Sequence, residues 1–105
     1  MTNKERELNK KTEHLIGNLE SLKSHIKKLY KAEIVGIFGS YVRGEQKESS
    51  DLDVLVKFCE DASLFNLTGL AHFLEEKLSV MVDIVPVDTL RKEIKDHVLK
   101  EAVYL

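Results

Sequence analysis

Cysteine is nearly missing from this chain. Cys59 stands alone among 105 residues, so no disulfide can form within it. A lone cysteine in this setting reads as a small core or strand-end residue. No apolar run approaches the roughly 20 residues that a membrane span requires. The stretch from Met1 to Lys11 is charged and has no signal-peptide core. A cytoplasmic protein without a membrane role is the expectation. Excess charge of one sign is also missing. The net charge is −2 and the pI is about 6.1, which leaves no strong nucleic-acid footprint. The histidines are scattered as His14, His25, His72 and His97. None has a second histidine three or four residues away, which excludes a helical zinc pair. No serine, cysteine or threonine has a neighbouring histidine that points to a hydrolase triad. The G-x-x-x-x-G-K-[ST] loop of a P-loop ATPase is absent.

What is present is ordinary material for one small domain: 43% hydrophobic and 32% charged residues. A single domain over 1–105 is expected, with a helical segment over 1–30 and a core over 31–105. From about Lys4 to Tyr30, Leu8, Thr12, Leu15, Leu19, Leu22, Ile26 and Leu29 form one apolar stripe at helical spacing. Gly17 is expected to weaken, bend or split that helix. The stripe packs on its own sheet, or its first turns meet a second subunit in a homo-oligomer; the spacing allows both. Ala32–Phe38 and Leu52–Phe58 read as strands. Ser63 reads as the cap of a helix through about Leu78. Met81–Val85 reads as a third strand ended by Pro86. Asp88 or Thr89 is expected to cap a last helix with Leu90, Ile94, Val98, Leu99 and Ala102 on its apolar side. Tyr104 is expected to pack with that helix, with a partner contact or self-modification as alternatives. The alternation implies an α/β or α+β layer, helices on a small sheet.

The chemistry concentrates between the first two strands. Successive strand side chains face opposite sides, so Asp51 and Asp53 share one face and Leu52, Val54 and Val56 the other. Adjacent carboxylates repel and raise each other's pKa. A divalent cation removes that conflict, and oxygen ligands suit Mg²⁺. Asp83 sits in an otherwise apolar strand, where a charge is costly unless paired or metal-bound. If its strand lies beside that of Asp53, the three carboxylates converge. Gly39 and Ser40 form a turn where backbone can approach a ligand, and Ser40 is a good cap for a short helix through Arg43. Such a helix start attracts phosphate. Arg43 either grips phosphate oxygens or ties down the short helix through a nearby carboxylate. Lys47 and Lys57 are weaker phosphate candidates. Together these features suit transfer of a phosphoryl or nucleotidyl group.

Gly39-Ser40, ten residues, then Asp51-x-Asp53 resembles the G-S-x10-D-x-D signature of the DNA polymerase β-type nucleotidyltransferases. More narrowly, Gly39, Ser40, Arg43 and Gly44 as G-S-x-x-R-G, with Ser50, Asp51 and Asp53 as S-D-x-D, resemble the minimal nucleotidyltransferases, the MNT family. The match covers roughly residues 30–105. The resemblance implies the nucleotidyltransferase fold, a small mixed sheet flanked by helices. It implies ATP as substrate and two Mg²⁺ ions held by Asp51, Asp53 and Asp83. Asp83 would act as metal ligand or as base for an attacking hydroxyl. It implies phosphate binding at Gly39 and Ser40. It also implies a partner, a HEPN-domain toxin, to which the MNT protein attaches AMP at a tyrosine hydroxyl and thereby acts as antitoxin.

Two other readings stand beside this one. The chain could neutralise its toxin by binding alone, or transfer a nucleotide to a small molecule as the aminoglycoside nucleotidyltransferases do. The intact Gly39, Ser40, Asp51, Asp53 and Asp83 set argues against lost chemistry. The small-molecule enzymes are longer. With one helix expected after Asp83, the acceptor is expected to dock from elsewhere.

Overall fold

The computed structural model describes residues 8–105. Helix α1 spans Lys10–Tyr30, and strand β1 spans Ala32–Phe38. A single turn, α2, covers Ser40–Arg43, and β2 covers Leu52–Phe58. Helix α3 runs over Leu64–Leu78 and β3 over Val82–Pro86. After a 3-10 turn at Val87–Thr89, α4 spans Lys92–Glu101 and β4 spans Val103–Tyr104. The sheet order is β3-β2-β1-β4. Strand β1 is antiparallel to both β2 and β4, while β2 and β3 are parallel. The architecture is the expected mixed sheet flanked by helices.

Two-residue alternation in β2 builds the core. Leu52, Val54 and Val56 are fully buried and join Leu15, Leu19, Ile26, Leu70 and Leu74 from α1 and α3. Burying side chains of this size removes their apolar surface from water, worth about 1.5–3 kcal/mol each. Thr12 sits in the same stripe, fully buried. Its hydroxyl donates to the Tyr41 carbonyl at 3.3 Å, which satisfies it and ties α1 to α2. The stripe fades toward its end, where Leu29 is 56% exposed.

Several local expectations need correction. Helix α1 begins at Lys10, leaving Leu8 and Asn9 outside it, because the Asn9 side chain accepts from Thr12 N–H and caps it. Residues 4–7 of the expected helix lie outside the described residues. The helix runs unbroken through Gly17, held by flanking contacts that outweigh one weak residue. Pro86 is the last residue of β3 rather than the stop beyond it, and Met81 precedes the strand. Ser63 does cap α3, its N–H donating to Asn66 Oδ1 at 2.8 Å. Neither Asp88 nor Thr89 caps α4. Both belong to the 3-10 turn, where the Thr89 hydroxyl donates to the Pro86 carbonyl at 2.7 Å, and Arg91 takes the cap position. Leu90 and Ala102 therefore fall outside the helix, and Ile94 is 48% exposed. Tyr104 lies in a strand, although its hydroxyl still reaches back to the Leu99 carbonyl at 2.6 Å. Cys59 is exposed just past β2.

Candidate active site

The end of β1 and the starts of β2 and β3 meet at one end of the strands. Asp53 and Asp83 are register partners across the parallel β2–β3 pair. Partners in a parallel ladder point to the same face. Asp51 precedes the first residue of β2, close enough for its charge to act on Asp53. Asp53 is half-buried, while Asp51 and Asp83 are exposed. The neighbouring strand contributes Phe38, the register partner of Asp53, and then Gly39.

Gly39 has φ +83°, and a Cβ there would collide with the Asp53 carboxylate. Only glycine fits that backbone angle and that approach without strain. Gly39 also takes the cap position of α2 and accepts from Val42 and Arg43 N–H at 3.0 and 3.1 Å. Ser40 is therefore the first helical residue rather than the cap. Its hydroxyl makes no hydrogen bond among the described residues.

The electrostatics of this end are those of crowded negative charge. Burial, then the charges of Asp83 and Asp51, push the Asp53 carboxyl up to about 6 from its ordinary 3.8. Arg43 opposes this only in part. Among the described residues, no three His, Cys, Asp or Glu side chains already stand in metal-holding geometry. The fit to Mg²⁺ lies in the donor set: Asp53 and Asp83 in register, Asp51 near enough to act on Asp53, all hard oxygen donors, with Asp53 destabilised as an anion.

Arg43 is anchored on two carboxylates. Its Nε donates to Glu45 at 2.8 Å and its Nη1 to Glu101 at 2.6 Å, and these bonds, Glu45 first, hold the guanidinium above its ordinary value. Glu101 was not visible as a site residue in the sequence. Its second carboxylate oxygen accepts from Gly39 N–H at 3.0 Å. Burial pushes the Glu101 carboxyl up, but the bonds from Arg43 and Gly39 outweigh it and leave it below the ordinary value. A glutamate in a Lys- and Glu-rich helix carries no local signal that its partners lie 58 and 62 residues away. Lys57 is exposed four residues beyond Asp53 on β2, away from this end. Lys47 is exposed in the loop, its N–H donating to Ser50 Oγ at 2.8 Å.

A family model described as a nucleotidyltransferase domain matches residues 19–105. The chain belongs to the nucleotidyltransferase family. This nucleotidyltransferase is 41% identical over 87 residues to the protein adenylyltransferase MntA of Thermococcus cleftensis, covering 83% of this chain and 88% of that one. Its fold superposes on a structure described as a minimal nucleotidyltransferase with TM-score 0.76 at 38% identity, covering 90% and 95% of the two chains. It also shares the fold of a toxin–antitoxin protein solved with AMP-PNP, at TM-score 0.64 and 22% identity, covering 89% of this chain and 70% of that one. The MntA–HepT toxin–antitoxin structure has the same fold at TM-score 0.55 and 18% identity, with 90% and 68% covered. In this nucleotidyltransferase Asp53 and Asp83 lie on β2 and β3, with Gly39 and Asp51 just outside β1 and β2 at the same end of the strands.

Proposed function

We propose that this nucleotidyltransferase is a Mg²⁺-dependent protein adenylyltransferase that moves AMP from ATP to a tyrosine hydroxyl of a HEPN-domain toxin, and so acts as its antitoxin. One observation carries the site reading: Asp53 and Asp83 face each other in register, with Gly39 packed against Asp53. The similarity to the MntA adenylyltransferase supports the reaction. The AMP-PNP and MntA–HepT structures of the same fold support the nucleotide and the kind of partner.

In this reading the residues divide the work. Asp51, Asp53 and Asp83 would hold Mg²⁺, which when bound supplies positive charge against the phosphate oxygens. The Gly39-Ser40 turn gives the triphosphate close access to backbone, and the Ser40 hydroxyl is available to donate. Arg43 donates to phosphate oxygens, favouring charge that builds as the bond breaks. The acceptor oxygen attacks the α-phosphorus in line. The bond from that phosphorus to the bridging oxygen breaks, and pyrophosphate leaves. The hydroxyl proton passes to a carboxylate of this face, Asp83 being exposed beside Asp53.

Intact-mass spectrometry tests this directly. The chain is incubated with ATP, Mg²⁺ and, as candidate toxin, the protein encoded beside its gene. The toxin mass is expected to rise by one or more AMP units, and to stay unchanged with Asp51→Asn or Asp53→Asn while the variant remains folded. Transfer by either variant would sink the catalytic assignment. A stable complex without a mass change would move the function to neutralisation by binding.

A further inference from the structure

Glu101 bridges the two parts of the proposed phosphate grip. One oxygen accepts from Arg43 at 2.6 Å and the other from Gly39 N–H at 3.0 Å. The bridge is built into the fold. Glu101 is the last residue of α4, and its side chain is only 14% exposed. Two residues later β4 begins, with Val103 and Tyr104 in register with Ile37 and Gly36 of β1. The backbone on both sides of the carboxylate is therefore fixed. The other partner of Arg43, Glu45, has a side chain 66% exposed, so that pair is screened by solvent.

Arg43 needs such a hold. Its side chain is 46% exposed, and it stands near an acidic cluster led by Asp53. A guanidinium without a fixed partner would swing to the strongest local negative potential, the aspartate face. There it would neutralise the groups proposed to hold the metal. With Glu45 and Glu101 each taking one donor, three of the five guanidinium N–H groups remain for other acceptors. Arg43 makes no other hydrogen bond among the described residues. A carboxylate that merely blocked the phosphate site would have to leave before nucleotide could enter. The spare donors make that departure unnecessary.

We infer that Glu101 is a positioning residue for nucleotide binding, fixing Arg43 and the Gly39 turn in the orientation that meets the phosphates and holding the guanidinium off Asp53. This rests on the reading of Gly39, Ser40 and Arg43 as the phosphate site.

A double-mutant cycle tests it, with a fluorescent ATP analogue titrated into the full chain in Mg²⁺. Glu101→Gln keeps an acceptor for Gly39 N–H and removes the charge that holds Arg43. It is expected to weaken analogue binding roughly fivefold, and by less than about twofold when Arg43→Gln is already present. In transfer assays KM for ATP is expected to rise more than kcat falls. Melting curves check that each variant is folded. Equal losses from Glu101→Gln in both backgrounds would assign Glu101 a purely structural role and overturn the inference. Tighter binding in Glu101→Gln would make the carboxylate a blocker and overturn it too. No analogue binding by the unsubstituted chain would remove the phosphate-site reading itself, and this inference with it.

Discussion

Asp53 keeps its proton to about pH 6, whereas an ordinary aspartate releases it near 3.8. Between those values the folded chain binds more protons than the unfolded one, so stability falls as pH rises through the window. Above pH 6 the fold carries the full penalty of an ionised carboxylate that is half-buried beside two others. A tenfold change in proton affinity corresponds to about 1.4 kcal/mol. Solvent screening of a half-exposed group reduces the whole effect to about 1 kcal/mol. Asp53→Asn is therefore expected to stabilise the chain by about 1 kcal/mol at pH 7.5 and by little at pH 4, where the native carboxyl is already neutral. The same substitution is expected to abolish transfer, so that stability and activity move in opposite directions. Urea denaturation at the two pH values measures the first part. An equal change at both values would show that charge crowding at Asp53 does not govern stability.

At the scale of elements, β4 has the largest consequence for its size. Two residues long, it closes the sheet edge against β1 and fixes Glu101 just before it. Its approach depends on Gly36, where any Cβ would run into the Val103 carbonyl. The Leu105 N–H adds a bond to the Val35 carbonyl at 3.0 Å, at a bulge in β1. Gly36→Val is expected to push β4 away and destabilise the chain by about 1–3 kcal/mol, as overpacking does. ATP affinity is expected to fall with it, because Glu101 loses its anchor. Denaturation midpoints and nucleotide titration check both; retained affinity in a destabilised variant would separate β4 from the site. This element was also the least legible in the sequence. The strands β1 and β2 were plain, because each is an apolar or alternating run closed by turn residues. Val103 and Tyr104 merely extend the apolar pattern of α4, and a two-residue strand has no period of its own. The aspartates were legible because charges inside apolar strands stand out. That Asp53 and Asp83 would be register partners required a parallel pairing the pattern could only allow. Glu101 was hidden because its partners come from another part of the chain.

For the whole molecule, the proposed Mg²⁺ site at Asp51, Asp53 and Asp83 would tie cation binding to folding. A ligand that binds only the folded chain stabilises it according to its concentration relative to its dissociation constant. At about ten times that constant the gain is about 1.4 kcal/mol, a rise in Tm on the order of 5 °C for a domain of this size. The donor set demands a specific pH dependence. Above pH 7 Asp53 is ionised, its repulsion with Asp51 and Asp83 is unrelieved, and Mg²⁺ has most to offset. Below its pKa of about 6 the proton already occupies Asp53 and competes with the cation. Mg²⁺ is therefore expected to raise Tm at pH 7.5, to do so much less at pH 5, and to have little effect on Asp53→Asn at either pH. Thermal melts at matched ionic strength provide the measurement, since the acidic cluster also responds weakly to salt alone. An equal Mg²⁺ response in Asp53→Asn would place the cation elsewhere on the molecule. A response that persists undiminished at pH 5 would show that Asp53 is not among its ligands.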